Sequence, residues 1–194
     1  MPLPSLATRV SELQTELDRL LQWGSHLPTG SRWVGQLNEL RFVRATLAWE
    51  EFLEQTFLCY LRGCRSVIGR SYALSVSAAT NLASAQAAAI GTAPFGKWLN
   101  ERWTLNRATA VFTGVHPYTA LASPVFPEIR GIRNRIVHRS RNVRIEFQRI
   151  VVSLYGSTRP GMTPGRLLSD SVLGIPRIDS YLNLLKTVAS IVSN

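Results

Sequence analysis

Apolar residues recur at three- and four-residue steps along almost the whole chain, and no stretch alternates cleanly between apolar and polar side chains. That period belongs to helices and not to strands. The sequence therefore predicts an all-α fold, a bundle of about five to seven helices. With 194 residues, 45% of them hydrophobic and 18% charged, the chain can bury a core without disulfide or metal staples. One domain over residues 1–194 is expected, with the alanine-rich stretch 71–93 as a candidate insertion.

The spacing of Leu6, Val10, Leu13, Leu17 and Leu20 predicts a first helix from Ser5 to Trp23, stopped by Gly24. A turn-rich loop, Gly24 to Arg32, leads to a long second helix, Val34 to Arg62, stopped by Gly63. On it Val43, Leu47, Leu58 and Leu61 form one stripe while Phe42, Trp49, Phe52, Leu53 and Tyr60 cover another side. A helix so apolar belongs at the centre of a bundle. Tyr72 to Ile90, rich in small side chains, reads as a helix that packs closely on its neighbours. Further helices are expected from Pro94 or Phe95 to Phe112, from Val125 to Arg141, from Val143 to Tyr155 after a cap at Asn142, and from Pro176 to Val192.

Several function classes are excluded at this level. The first ten residues lack the basic start and apolar run of a signal peptide, and the longest uncharged stretch, Ser71 to Gly96, is too polar to span a bilayer, so a cytoplasmic protein is expected. Cys59 and Cys64 have a spacing that suits neither a disulfide framework nor a zinc site. Gly91 to Lys97 matches a phosphate-binding loop as far as the lysine, but Trp98 stands where the magnesium-holding Ser or Thr would be, and no strand precedes it. His26 and His116 lie in turn-like stretches without companion ligands and read as surface histidines. No metal and no cofactor is expected. The net charge of +10 comes from 20 arginines and two lysines, Lys97 and Lys186, against 12 acids. Such a surplus attracts polyanions, with phosphate backbones the usual partner.

The charge is concentrated. Between Arg130 and Arg149 seven arginines face one acid, Glu146. On a helical wheel Ile129, Ile132 and Ile136 form a buried stripe, while Arg130, Asn134, His138 and Arg141 fall within a sector of about 80° on another side. Arg133 lies between the two faces, where a guanidinium needs a carboxylate, a phosphate or several carbonyls. Glu50, Glu51 and Glu54 of the second helix offer such carboxylates. Metal-free RNA cleavage needs a base for the 2′-hydroxyl, a cation for the phosphate and an acid for the leaving oxygen. Histidine suits the proton transfers and arginine the phosphate. Arg130, Arg135, Arg139 and Arg141 are the candidate RNA-binding residues.

Arg133-Asn134-Arg135-Ile136-Val137-His138, late in an all-α chain, resembles the Arg-x4-His signature of the HEPN superfamily. The stretch from Leu40 through Trp49-Glu50-Glu51-Phe52-Leu53 resembles that family's early helix with its acidic residue, and the region through Arg144 to Phe147 resembles its RiboL-PSP-HEPN branch. The likeness implies a HEPN-like helical domain and a metal-independent endoribonuclease, acting as a homodimer with a composite site. It implies a role as a toxin or anti-phage effector, with RNA and a regulatory partner protein among the partners. Carried over by position, Arg133 and His138 would be catalytic, Asn134 supportive, and Glu51, or second to it Glu50, the acid that holds the arginine. A subgroup has a modifiable tyrosine two residues after the histidine, where this chain has Ser140, which puts that regulation in doubt. The competing class is a non-catalytic HEPN module that binds RNA or a partner protein. A weaker third is an all-α protein held to DNA by charge alone.

Overall fold

The computed structural model describes residues 5–26 and 33–194. The described residues are all-α apart from one small hairpin. In order they form α1 (Leu6–Ser25), α2 (Val34–Leu61), α3 (Leu82–Ile90), α4 (Glu101–Val111), a 3-10 helix (Pro117–Ala122), α5 (Val125–Val137), α6 (Arg141–Tyr155) and α7 (Pro164–Ser169). The strands β1 (Ser171–Val172) and β2 (Ile175–Pro176) pair antiparallel, and α8 (Arg177–Ser193) follows. Most of the loop expected over Gly24 to Arg32 lies outside the described residues. None of the helices described is long and apolar enough to cross a membrane.

Two units share the chain. The first comprises Met1–Thr15, Ala48–Ser123 and Leu185–Asn194, and the second Glu16–Leu47 and Pro124–Leu184. Helices α1, α2 and α8 each contribute residues to both.

The first unit is built around the second half of α2, where Phe52, Leu53, Phe57, Leu58, Tyr60 and Leu61 are all buried. The Phe57 ring centre lies 5.2 Å from Trp98, 5.5 Å from Phe112 and 5.1 Å from Tyr118. Aromatic rings at these separations add attraction beyond the area they bury. Its buried tyrosine hydroxyls are satisfied: the Tyr118 hydroxyl shares a hydrogen bond with Thr56 at 3.2 Å, and the Tyr60 hydroxyl donates to the Val192 carbonyl at 2.8 Å. Burial, then the neighbouring Cys64, pushes the Cys59 thiol up to about 12, which leaves it an unreactive core side chain.

The alanine-rich segment departs from the expected single helix. Only Leu82–Ile90 is helical; before it the chain is irregular, with a bridge between Leu74 and Phe112 and a bond from the Ser75 N–H to the Val111 carbonyl at 2.8 Å. Asn81 decides the start, because its side chain caps the Ser84 N–H while the Ser84 hydroxyl accepts from the Asn81 N–H, a reciprocal capping box. At the other end Arg107 donates to the Ala88 and Ala89 carbonyls at 2.6 and 2.9 Å, satisfying acceptors that a helix end leaves open. Helix α4 likewise starts after Asn100, which caps Trp103, and not at Pro94 or Phe95. His116 is a correction of another kind. It is buried at 7% exposure between Phe112 and Tyr118, and burial lowers its pKa below the ordinary 6.5.

In the second unit the first half of α2 buries polar side chains in place of some apolar ones. Arg41, 3% exposed, donates to the Leu20 carbonyl, to Asn38 and to Asp179, each at 2.8 Å. Asn38 in turn donates to Ser169 at 2.9 Å. Because Asn38, Arg41, Phe42 and Ala45 take the inward positions, Leu40 and Leu47 are left 59% and 52% exposed, which corrects the placing of Leu47 on a buried stripe. Gly35 and Gly165 let α2 and α7 approach until their backbones touch, and the Gly165 N–H donates to Glu39 at 2.8 Å. Phe42 meets Tyr181 edge-on at 5.7 Å, and the Tyr181 hydroxyl donates to Glu128 at 3.1 Å.

Two outcomes follow from this packing. A Cβ at Gly165 would lie 2.5 Å from the Gly35 carbonyl oxygen, and neither backbone can yield easily. Gly165→Ala is expected to lose about 1–3 kcal/mol in urea denaturation. For His116, the unfolded state takes a proton near 6.5 while the folded state resists it. Stability should therefore fall as pH drops below about 6.5, and His116→Phe should flatten that dependence in denaturation curves at pH 7.5 and 5.5.

Candidate functional site

The arginine-rich segment folds into two helices with a corner between them. In α5 the side chains of Phe126, Ile129 and Ile132 are buried, and Gly131 faces α6 so closely that a Cβ there would lie 2.3 Å from Ile150 Cδ1. The approach of Gly131 to Ile150, across a connection of three residues, makes α5 and α6 an antiparallel hairpin. Its tip is His138-Arg139-Ser140.

Ser140 sets the tip. Its hydroxyl accepts the Val143 N–H at 3.4 Å and its carbonyl the Arg144 N–H at 3.2 Å, so a new helix begins at Arg141. The cap is thus Ser140 and not Asn142. His138 adopts an extended backbone (φ −119°, ψ 144°) and closes α5, its N–H donating to the Asn134 carbonyl at 2.8 Å. The expectation of one helix from Val125 to Arg141 is therefore corrected. His138 and Arg141 leave the common sector of the helical wheel, and His138 projects from a corner instead of a helix face.

The corner is open. His138, Arg139, Ser140 and Arg141 are exposed, while Arg133, Asn134 and Arg135, on the last turns of α5, are half-buried. The bond that joins Asn134 to His138 runs between main chains. At 1.5 Å per residue, Arg133 lies roughly 7 Å before the corner along the α5 axis. Arg130, expected among the RNA-binding residues, forms an ion pair with Glu146 at 3.8 Å that ties α5 to α6. Arg144 and Arg149 fall outside the expected RNA-binding set, yet both are exposed on α6. The signal in the sequence is the spacing of Arg141, Arg144 and Gln148, which share a face at i, i+3 and i+7.

The acidic candidates stand elsewhere in the chain. Glu51, on α2 and in the first unit, is exposed, whereas Glu50 and Glu54 are half-buried; Arg133 belongs to the second unit. Of the three carboxylates, the two half-buried ones have more to gain from a cation, since an exposed ion pair contributes little.

Chemically, the corner presents an imidazole to solvent, with guanidinium groups before it on α5, beside it at Arg139 and after it along α6. It can exchange protons with a bound group and hold anions on both sides. Removing the cap should loosen it: Ser140→Ala is expected to cost about 1 kcal/mol, read by chemical denaturation, with faster amide exchange at residues 141–144. No family model, curated protein or solved structure matches the chain.

Proposed function

We propose that the chain is a metal-independent endoribonuclease of the HEPN type that cuts RNA at the α5–α6 corner. The observation that carries this reading is the exposure of His138 at a tip flanked on both sides by arginines. An RNA phosphate lies against Arg139 and Arg141, whose side chains face solvent. His138 exchanges a proton with the 2′-hydroxyl or with the leaving 5′-oxygen, and Arg133 supplies the positive charge that the phosphorane needs as negative charge builds on its oxygens. Asn134 holds the His138 backbone in place through its carbonyl.

A single imidazole serves as base or as acid in a given turnover. Two corners facing each other in a homodimer would supply both, which is the arrangement the HEPN resemblance implies. The same resemblance extends the reading to a cytoplasmic toxin or anti-phage effector restrained by a partner protein. No step in this chemistry calls for a cofactor.

Incubation of the purified protein with total RNA in excess chelator, beside a His138→Ala variant, tests the proposal. The wild type is expected to cut, and the variant to be slower by at least about 100-fold. Absence of cutting by the wild type, or equal cutting by both, would overturn it and favour a module that binds without cleaving. Arg139→Gln and Arg141→Gln should weaken RNA binding with a shallower salt dependence, since fewer neutralised phosphates release fewer counterions.

A further inference from the structure

Beyond the corner, α6 leads to a second feature. A cavity of about 350 Å³ lies between its C-terminal half and the loop that follows, lined by Phe147, Gln148, Val151, Thr158, Arg159 and Met162 among others. That volume falls at the small end of ligand sites. Phe147 and Val151 are each only 3% exposed and form an apolar floor, while the Gln148 amide, the Thr158 hydroxyl and the Arg159 guanidinium bring donors and acceptors. Among the described residues that line it, none is acidic.

The rim is built to hold its shape. Gly156 ends α6 in the left-handed conformation (φ 73°), the Met162 N–H donates to the Arg159 carbonyl at 3.2 Å, and Arg166 donates to the Gly161 carbonyl at 3.1 Å. The Arg159 guanidinium lies over the Tyr155 ring, 4.3 Å from its centre. A flat heteroaromatic group with several edge donors and acceptors, carried on a phosphate, matches these walls. The apolar residues take its faces, the amide reads its edge and the guanidinium meets its phosphate.

Position links the cavity to the corner. Arg141, Arg144 and Gln148 share the solvent face of α6, so two phosphate-binding arginines lie between the tip and the Gln148 side of the cavity. Phe147 lies seven residues beyond Ser140, roughly 10 Å along the helix axis. A strand of a few nucleotides reaches from one to the other.

We propose that this cavity is a nucleobase-binding site. Resting on the ribonuclease reading, it selects the sequence that is cut, by seating a base a few nucleotides from the phosphate held at the α5–α6 corner. The two can be tested apart. The chain has two methionines, Met1 and Met162, so methyl-labelled methionine gives a signal from the cavity that a Met162→Leu variant assigns. Titration of the full chain with AMP, GMP, CMP and UMP in turn should shift that signal saturably with at least one of them, and ribose 5-phosphate, which offers the phosphate without the base, should shift it less or not at all. Gln148→Leu, at an exposed position, should weaken the preferred nucleotide about tenfold and broaden the bases found at mapped cut sites. If none of the four moves the Met162 signal, or ribose 5-phosphate moves it equally, the site is not a base pocket. If the signal shifts but the chain cuts no RNA, the pocket stands and the ribonuclease reading falls.

Discussion

Gly131 has no side chain, and α6 uses the space: Ile150 and Glu146 come so close that α5 and α6 pack as a tight hairpin. Everything at the candidate site follows from that approach. With the two axes so near, the chain has three residues in which to reverse, and those residues are His138, Arg139 and Ser140. Ser140 is engaged in capping α6. His138 and Arg139 are left at the tip, where solvent and any polyanion reach them first. The Arg130–Glu146 pair closes the same hairpin from its side, at an exposure where such a pair adds little energy but holds orientation.

The arginines divide by what they touch. Arg41 is a core residue, each of its guanidinium nitrogens engaged, by a carbonyl, an amide and the Asp179 carboxylate. Arg107 terminates α3, Arg130 joins α5 to α6, and Arg9 bonds Glu12 and Gln55. A guanidinium suits such places because its planar fork satisfies several acceptors at once. In the α5–α6 segment the exposed arginines, Arg139, Arg141, Arg144 and Arg149, are in a position to meet phosphate. Net charge by itself does not separate these groups.

How much is legible in the sequence depends on which force sets each boundary. Long apolar repeats mark α1, α2, α6 and α8 to within a few residues, since burial of a stripe decides whether such helices exist. The second half of α2 is buried as its composition implies, but in its first half Arg41 outcompetes Leu40 for the interior. That outcome requires Asp179, 138 residues away, and is not visible locally. Where single side chains set the ends, the expected and observed boundaries differ. Asn81, Asn100 and Ser140 each cap a helix, and all three are recognisable as polar residues before helical runs. Alanine content suggests a helix from Tyr72, yet a high propensity without a buried face does not prevail over the main-chain bonds that the segment makes with Leu61, Val111 and Thr113. The spacing of Arg133, Asn134 and His138 is plain in the sequence, whereas the corner that displays His138 emerges only with the fold.

If the corner cuts RNA by using the 2′-hydroxyl as nucleophile, with His138 moving the proton, the chemistry of the cut ends tests it most directly. A defined RNA should be incubated in chelator with the intact protein, its cut sites mapped, and a matching RNA made with one 2′-deoxy nucleotide 5′ of the main cut. The expected products carry 2′,3′-cyclic phosphate and 5′-hydroxyl ends, with no cut at the deoxy position. Ends bearing 5′-phosphate and 3′-hydroxyl, or undiminished cutting at the deoxy position, would contradict it.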